Sequence, residues 1–199
     1  MEDLKSLEER AKQLKSEGKF LEALEVMEQS LAYGRTQFGP ESEQVRRTCI
    51  QLCELCNIIA TNYLQREDFQ YALDLLKRAE LLCEYDDQSK SLTFNNLACY
   101  YRKIGKVRIA LTYLQKALRI DLEGPNTHLN LCAVLSQIQK HEEALQHAMQ
   151  AVVFLQDSYI RSLKGDGNFT DQIPVLAIAY HNMGVELEYL KRVRYILDA

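Results

Sequence analysis

The sequence predicts an all-α protein, a solenoid of helical hairpins, and three observations carry that expectation. Turn formers are scarce, with 8 Gly and 3 Pro in 199 residues, while Leu, Ala, Glu, Gln and Lys abound. Small residues recur in register: Ala11, Ala60, Ala98, Cys132 and Gly184, with Ala23, Ala72, Ala110 and Ala144 twelve residues after the first four. Seven further on stand Ser30, Ala79, Ala117 and Ala151. Bulky residues follow the second alanines, as Leu24 and Met27, Leu73 and Leu76, Leu111 and Leu114, and Leu145. Such a register fits pairs of antiparallel helices packed so closely that only small side chains fit where their axes cross.

Taken in order, the first helix pair is expected near 3–16 and 20–33, turning at Ser16-Glu17-Gly18-Lys19-Phe20. The second spans 41–66 and 69–84 around Gln65-Arg66-Glu67-Asp68-Phe69, and the third 91–103 and 107–120 around Lys103-Ile104-Gly105-Lys106-Val107. The fourth covers 126–138 and 141–156, turning at Ile138-Gln139-Lys140-His141. Gly18 and Gly105 suit helix ends that need positive φ, and Phe20 and Phe69 can plug their corners. The clearest turn signal, Leu163-Lys164-Gly165-Asp166-Gly167-Asn168-Phe169-Thr170, precedes a last helix near 172–190. A short further helix, Lys191 to Ala199, is expected to leave the fifth repeat incomplete, since Ile196 stands where the others have alanine.

This pattern of small, aromatic and alanine positions resembles the tetratricopeptide repeat family, whose repeat is 34 residues long, the distance from Ala98 to Cys132, and the resemblance implies a right-handed superhelix. The other spacings, 49, 38 and 52, place insertions in connections or in extended helices. Phe38-Gly39-Pro40-Glu41-Ser42 and Phe94-Asn95-Asn96-Leu97-Ala98 also resemble the longer repeats of kinesin light chains. The expected organisation is a single array over 1–199: repeats 3–34, 41–85, 91–121 and 126–157, and an incomplete one at 172–199.

Charge and cysteine usage narrow the function. A formal net charge of -4 gives no global reason to hold nucleic acid or an anionic membrane. No apolar run approaches the roughly 18 residues of a membrane span, and the acidic, amphipathic Met1-Glu2-Asp3-Leu4 is unlike a signal peptide, so a cytoplasmic location is expected. Cys49, Cys53, Cys56, Cys83, Cys99 and Cys132 sit inside helical patterns and read as reduced thiols. Although Cys53-x-x-Cys56 invites a metal or redox reading, Cys49, Cys53 and Cys56 are spaced as one helix face, which is a core stripe. His128, His141, His147 and His181 lack metal-ligand spacing, and His141 and His147 are expected at the surface. No phosphate loop, nucleophile elbow or metal-binding His pair appears, so neither a catalytic residue, a metal nor a cofactor is expected.

Two basic stretches, Arg102-Lys103 with Lys106 and Arg108, and Lys191-Arg192 with Arg194, are solvated helix ends or docking patches for acidic partners. A sharper signal is an asparagine two residues before the small residue of three repeats: Asn96, Asn130 and Asn182. Asparagine is a poor interior helix former, and its amide can donate to and accept from a peptide backbone at once. The resemblance places these positions on the first helix of each pair, facing a concave groove, with Cys99, Ala133 and Val185 one turn on and Lys103 and Gln137 beyond. The alternative is that the amides join neighbouring helices. The first two repeats carry Glu9 and Ile58 instead. The lysine, asparagine and arginine with which some members of the family clamp chaperone tails are not assembled, because Glu8, Lys12, Ile58, Leu92 and Asn96 occupy those places. The expected function is a non-enzymatic adaptor or scaffold that binds an extended protein segment. The alternative is a structural subunit of a larger cytoskeletal or ciliary assembly, with self-association through the uncapped last helix.

Overall fold

The computed structural model describes residues 4–163 and 169–197, with side chains described as far as Lys191. The turn Lys164–Asn168 and the equivalence of Ile196 to the repeat alanines fall outside what is described. The described regular structure is entirely helical: α1 (Leu4–Ser16), α2 (Phe20–Phe38), α3 (Glu43–Gln65), α4 (Phe69–Leu82), α5 (Asp87–Lys103), α6 (Val107–Ile120), α7 (Pro125–Gln137), α8 (His141–Leu163) and α9 (Ile173–Leu197), with 3-10 turns at Cys83–Tyr85 and Thr170–Gln172. The chain divides into two compact units, one ending at Tyr100 and the other beginning at Tyr101. In the first, α1 packs on α2, α2 on α3 and α3 on α4. In the second, α6 packs on α7, α7 on α8, and α9 on both α7 and α8.

Each corner is made the same way. Gly18, Glu67, Gly105 and Gln139 adopt φ of 75°, 62°, 77° and 64°, and they recur with the spacing of the repeat. The residue after each donates its N–H back across the helix end: Lys19 to the Leu14 carbonyl at 2.9 Å, Asp68 to Tyr63 at 3.0 Å, Lys106 to Tyr101 at 2.8 Å, and Lys140 to Leu135 at 2.9 Å. This is the Schellman arrangement, which satisfies carbonyls that a helix end would otherwise leave bare. Two corners use glycine; Glu67 and Gln139 hold the left-handed conformation without it. Helix starts are set locally as well. Ser42 Oγ accepts from the Val45 N–H at 3.4 Å, Asp86 Oδ2 accepts from the Ser89 N–H at 2.6 Å, and Pro125 opens α7.

The expected small positions are buried wherever a second helix follows. Ala23, Ala72, Ala110 and Ala144 are completely buried, and Ala11, Ala60, Ala98 and Cys132 nearly so. The insertions become helix: α2 runs to Phe38 and α8 to Leu163, several residues beyond the expected ends at 33 and 156. The α2 extension stops at Gly39, with φ of 84°, and Pro40.

Two expectations are corrected. No break separates 190 from 191, because α9 is one helix to Leu197; nothing in Lys191–Leu197 is Gly or Pro, so no residue there ends it. Gly184 is not a crossing point. It is exposed, and a Cβ there would meet nothing within 4 Å, because among the described residues no second helix packs over it.

One core position departs from the repeat. Where the other three pairs have Ala79, Ala117 and Ala151, the first has Ser30, only 2% exposed, and its Oγ has no hydrogen-bond partner. An unpaired buried hydroxyl costs about 1–3 kcal/mol. Ser30→Ala, which restores the residue used by the other pairs, is therefore expected to stabilise the protein by about 1 kcal/mol, read as a higher midpoint in urea with an unchanged m-value. A lower midpoint would mean that the hydroxyl is satisfied in solution.

Candidate functional site

The polar positions picked out along the first helices of the pairs fall into two settings. Asn96 on α5 is half-buried, and its Nδ2 donates to Asn57 Oδ1 on α3 at 2.8 Å. Asn57 is 2% exposed and is the centre of the cluster. Its own Nδ2 donates to the Cys53 carbonyl at 3.0 Å and to Thr93 Oγ1 at 2.8 Å, and the Thr93 hydroxyl donates in turn to the Ser89 carbonyl at 2.7 Å. A buried amide with donors and acceptor all satisfied joins α3 to α5 at no net desolvation penalty. Sequence reasoning took Ile58 as the matching position and missed Asn57 beside it. The available signal was an amide inside the apolar stripe Cys53, Cys56, Ala60.

In the second unit Asn130 and Ala133 are half-buried and Gln137 exposed, at the i, i+3, i+7 spacing of one α7 face. Asn182 is half-buried and Val185 is 47% exposed on α9, which packs directly against α7. Cys99 is half-buried and Lys103 exposed, both on α5.

His141 and His147 were expected at the surface, and the structure corrects this: His141 is buried and His147 half-buried. His128 on α7 is 3% exposed, and its Nε2 lies 3.0 Å from the Leu122 carbonyl. A carbonyl only accepts, so Nε2 carries the proton and Nδ1 is left as an acceptor. His147 Nδ1, 2.9 Å away on α8, must then be the donor. Phe154 packs against the His128 ring, with centroids 5.4 Å apart. Burial, and secondly the proximity of His128, hold the His147 pKa below its ordinary 6.5.

His141 is buried at the start of α8, where its Nδ1 meets Oε2 of the buried Glu186 of α9 at 2.6 Å. Its Nε2 lies 3.2 Å from Gln139 Oε1, which also accepts from the Tyr189 hydroxyl at 3.0 Å, and the Tyr189 ring stacks on the imidazole. Amphipathic spacing hides such pairs, because their partners lie 19 and 45 residues apart in sequence.

Cys49, Cys53 and Cys56 face the core of the first unit, as expected. Burial pushes the Cys56 thiol up to about 12, and the Cys83 and Cys132 thiols to about 11, so these sulfurs are protonated packing groups. Among the described residues no three His, Cys, Asp or Glu side chains converge as metal ligands would. None of the described helices is long and apolar enough to cross a membrane.

Residues 92–120, which contain most of α5 and all of α6, match the tetratricopeptide repeat family. Over 137 residues the chain is 25% identical to the 43 kDa receptor-associated protein of the synapse from Tetronarce californica, a match covering 65% of this chain and 31% of that protein's length. Among solved structures, the Cut9-Hcn1 hetero-tetramer of the APC/C aligns with 89% of this chain and 28% of its own (TM-score 0.56, 19% identity). YrrB, described as a TPR protein with an unusual peptide-binding site, aligns over 95% and 78% (TM-score 0.53, 18%). A putative kinesin light chain from Podosopora anserina aligns over 99% and 97% (TM-score 0.52, 21%). At these identities the structures establish the fold. Repeated corners, small-residue crossings and these alignments define a protein of helical-hairpin repeats. Its fold is the one found in solved structures of tetratricopeptide repeats.

Two outcomes test the geometry. Asn96→Ala strips the acceptor of buried Asn57 of its donor and is expected to cost about 1–3 kcal/mol in a denaturant melt; no loss would detach Asn96 from the α3 contact. For His147, a depressed folded pKa means that the unfolded chain binds the extra proton first, so this stability is full above pH 6.5 and is lost as pH falls through the lower folded value. Wild type is expected to lose more melting temperature than His147→Gln when pH is taken from above 6.5 to below it. Equal losses would refute the buried neutral imidazole.

Proposed function

We propose that the protein is a non-enzymatic adaptor, acting in the cytoplasm, that holds an extended segment of another protein against the first helices of its repeats. The observation that carries this reading is the α7 and α9 pair: Asn130, Ala133 and Gln137 share a face of one helix, and Asn182 and Val185 lie on the helix packed against it. Amides in such positions recognise a peptide backbone without regard to its side chains, while small residues let it come close. The family supports protein binding in general, and one neighbour in fold, YrrB, is described by its peptide-binding site. The name of the Tetronarce californica relative, a receptor-associated protein, fits the same kind of role. Within this reading Asn96 is a stacking residue first, since its donor already serves Asn57.

A second reading, a subunit buried in a larger or self-associated assembly, is favoured by α9. Ile178, Val185 and Leu187 on that helix are each about half exposed, and Gly184 has no neighbour over it.

A peptide selected for binding from a displayed library serves as the probe. Each net backbone hydrogen bond contributes about 0.5–1.5 kcal/mol, so Asn130→Ala with Asn182→Ala is expected to weaken the peptide by on the order of tenfold. Helix content should hold, because alanine is the better helix former. Unchanged affinity in a folded double variant would refute the site.

A further inference from the structure

Charge is segregated along this chain to a degree that its net value of -4 conceals. Between Tyr101 and Ile120 stand Arg102, Lys103, Lys106, Arg108, Lys116 and Arg119, with no Asp or Glu. The remainder of the protein has 18 basic against 28 acidic residues, a net of -10. The segment contains the third corner and all of α6.

The folded geometry turns this composition into a surface. Ala110, Tyr113, Leu114 and Ala117 form the buried face of α6. Arg108, Thr112, Lys116 and Arg119, at i, i+4, i+8 and i+11, run along the opposite, exposed face. At 1.5 Å per residue the stripe is roughly 16 Å long, and exposed Lys103 and Lys106 lie in the corner at its Arg108 end. The Lys116 ammonium rests 4.9 Å from the Tyr113 ring, and that ring stacks on Tyr101 at 5.5 Å, so this cation is placed. Ile109, 40% exposed, borders the stripe.

Two features separate this stripe from an ordinary solvated face. Several cations elsewhere are paired, as Arg46 with Glu41, Arg47 with Glu43, Lys77 with Glu80, Arg78 with Glu28 and Lys140 with Glu143, and others, such as Lys5, Lys12 and Arg66, stand among acidic residues in the sequence. Lys103, Lys106, Arg108 and Arg119 make no ion pair among the described residues. Position argues the same way. Lysine stands just before α2 and α8 as it does before α6, but Lys19 pairs with Glu17 and Lys140 with Glu143, whereas Lys106 has no such carboxylate among the described residues and Arg108 adds a second positive charge in the first turn, where the helix dipole disfavours it. Local helix stability does not account for cations there; a partner that neutralises them does.

We propose that the exposed face of α6, with the corner before it, docks an acidic amphipathic helical segment of a partner protein. The segment would carry Asp or Glu at intervals of three and four residues, opposite Arg108, Lys116 and Arg119, and an apolar side chain against Ile109. A narrow stripe of about three turns suits one short helix. The net charge of -10 on the rest of the chain repels a long polyanion, which sets nucleic acid and an anionic bilayer behind an acidic peptide. The surface lies on a second helix of a pair, so this inference is independent of the amide face of α7 and α9.

The test uses the full chain and a fluorescent amphipathic helical peptide with Glu at i, i+4, i+8 and i+11, a copy with Lys in place of Glu, a single-stranded oligonucleotide, and vesicles with and without phosphatidylserine. The Glu peptide is expected to bind and the Lys peptide not, with affinity falling as salt is raised. Arg108→Gln with Lys116→Gln and Arg119→Gln is expected to weaken binding by about tenfold, and Lys5→Gln, at an exposed cation of α1, to leave it unchanged. Arg108→Gln alone should give a smaller loss, and it serves if the triple variant fails to fold. Equal binding of Glu and Lys peptides, unchanged binding by the folded variant, or tighter binding of the oligonucleotide or the acidic vesicles would overturn the proposal. So would concentration-dependent self-association of wild type that the triple variant abolishes, since the acidic partner would then be a second copy of this chain.

Discussion

The structure depends first on how closely two helices approach within a pair. At Ala11 with Ala23, Ala60 with Ala72 and Cys132 with Ala144, the crossing positions hold small side chains and are almost wholly buried. A larger side chain at any of them would push the axes apart, and in a close-packed interior that displacement reaches the Leu and Val layer on both sides. The corner follows from the same constraint. Two helices this close need a connection that reverses direction within three residues, and a left-handed residue followed by a bond reaching five residues back achieves it four times. Glu67 and Gln139 accept this conformation without being glycine, which shows how strongly the crossing fixes the backbone.

Contacts between successive pairs tolerate more variety. Nine residues after the small residue of a first helix comes the first residue of its partner, and in the first unit this is Phe69, packed edge-on against Tyr100 with centroids 6.3 Å apart. The corresponding residues at the last junction are His141 and Glu186, and there an aromatic contact becomes a buried hydrogen-bonded pair. Such a pair adds little net stability, but removing one partner leaves the other buried and unsatisfied, at a cost of about 1–3 kcal/mol. The junction therefore selects register more sharply than its aromatic counterpart does. Gln139 and Tyr189 reinforce that selection, because both bond into the same cluster.

Much of this was legible in sequence because it is periodic. Small residues at intervals of twelve and seven, apolar stripes and glycine at two corners specify helices, crossings and turns, and the cysteine stripe of α3 reads correctly for the same reason. What escaped was non-periodic. Asn57, His128 with His147, and His141 with Glu186 each take their meaning from a residue on another helix, and helical spacing carries no information about that partner. Periodicity also misled once: Gly184 continues the register of small residues, yet a crossing requires two helices, and the described residues place none over it. Asn96 shows the limit in the asparagine series, for its recurrence was visible but its donor's occupant, Asn57 Oδ1, was not.

The polar groups inside the units also explain how such a thin architecture can present polar faces outside. A hairpin two helices deep has few residues shielded on every side, so amides and imidazoles near the interface lie close to water and must be satisfied internally to stay ordered. Asn57 meets that demand with three hydrogen bonds, and His128 with one to a carbonyl and one to a second ring. Because these groups spend their capacity on neighbouring helices, they hold the first-helix faces in place. Polar side chains whose capacity is not spent inside are left to the surface, and on α6 the cations without ion pairs are of that kind.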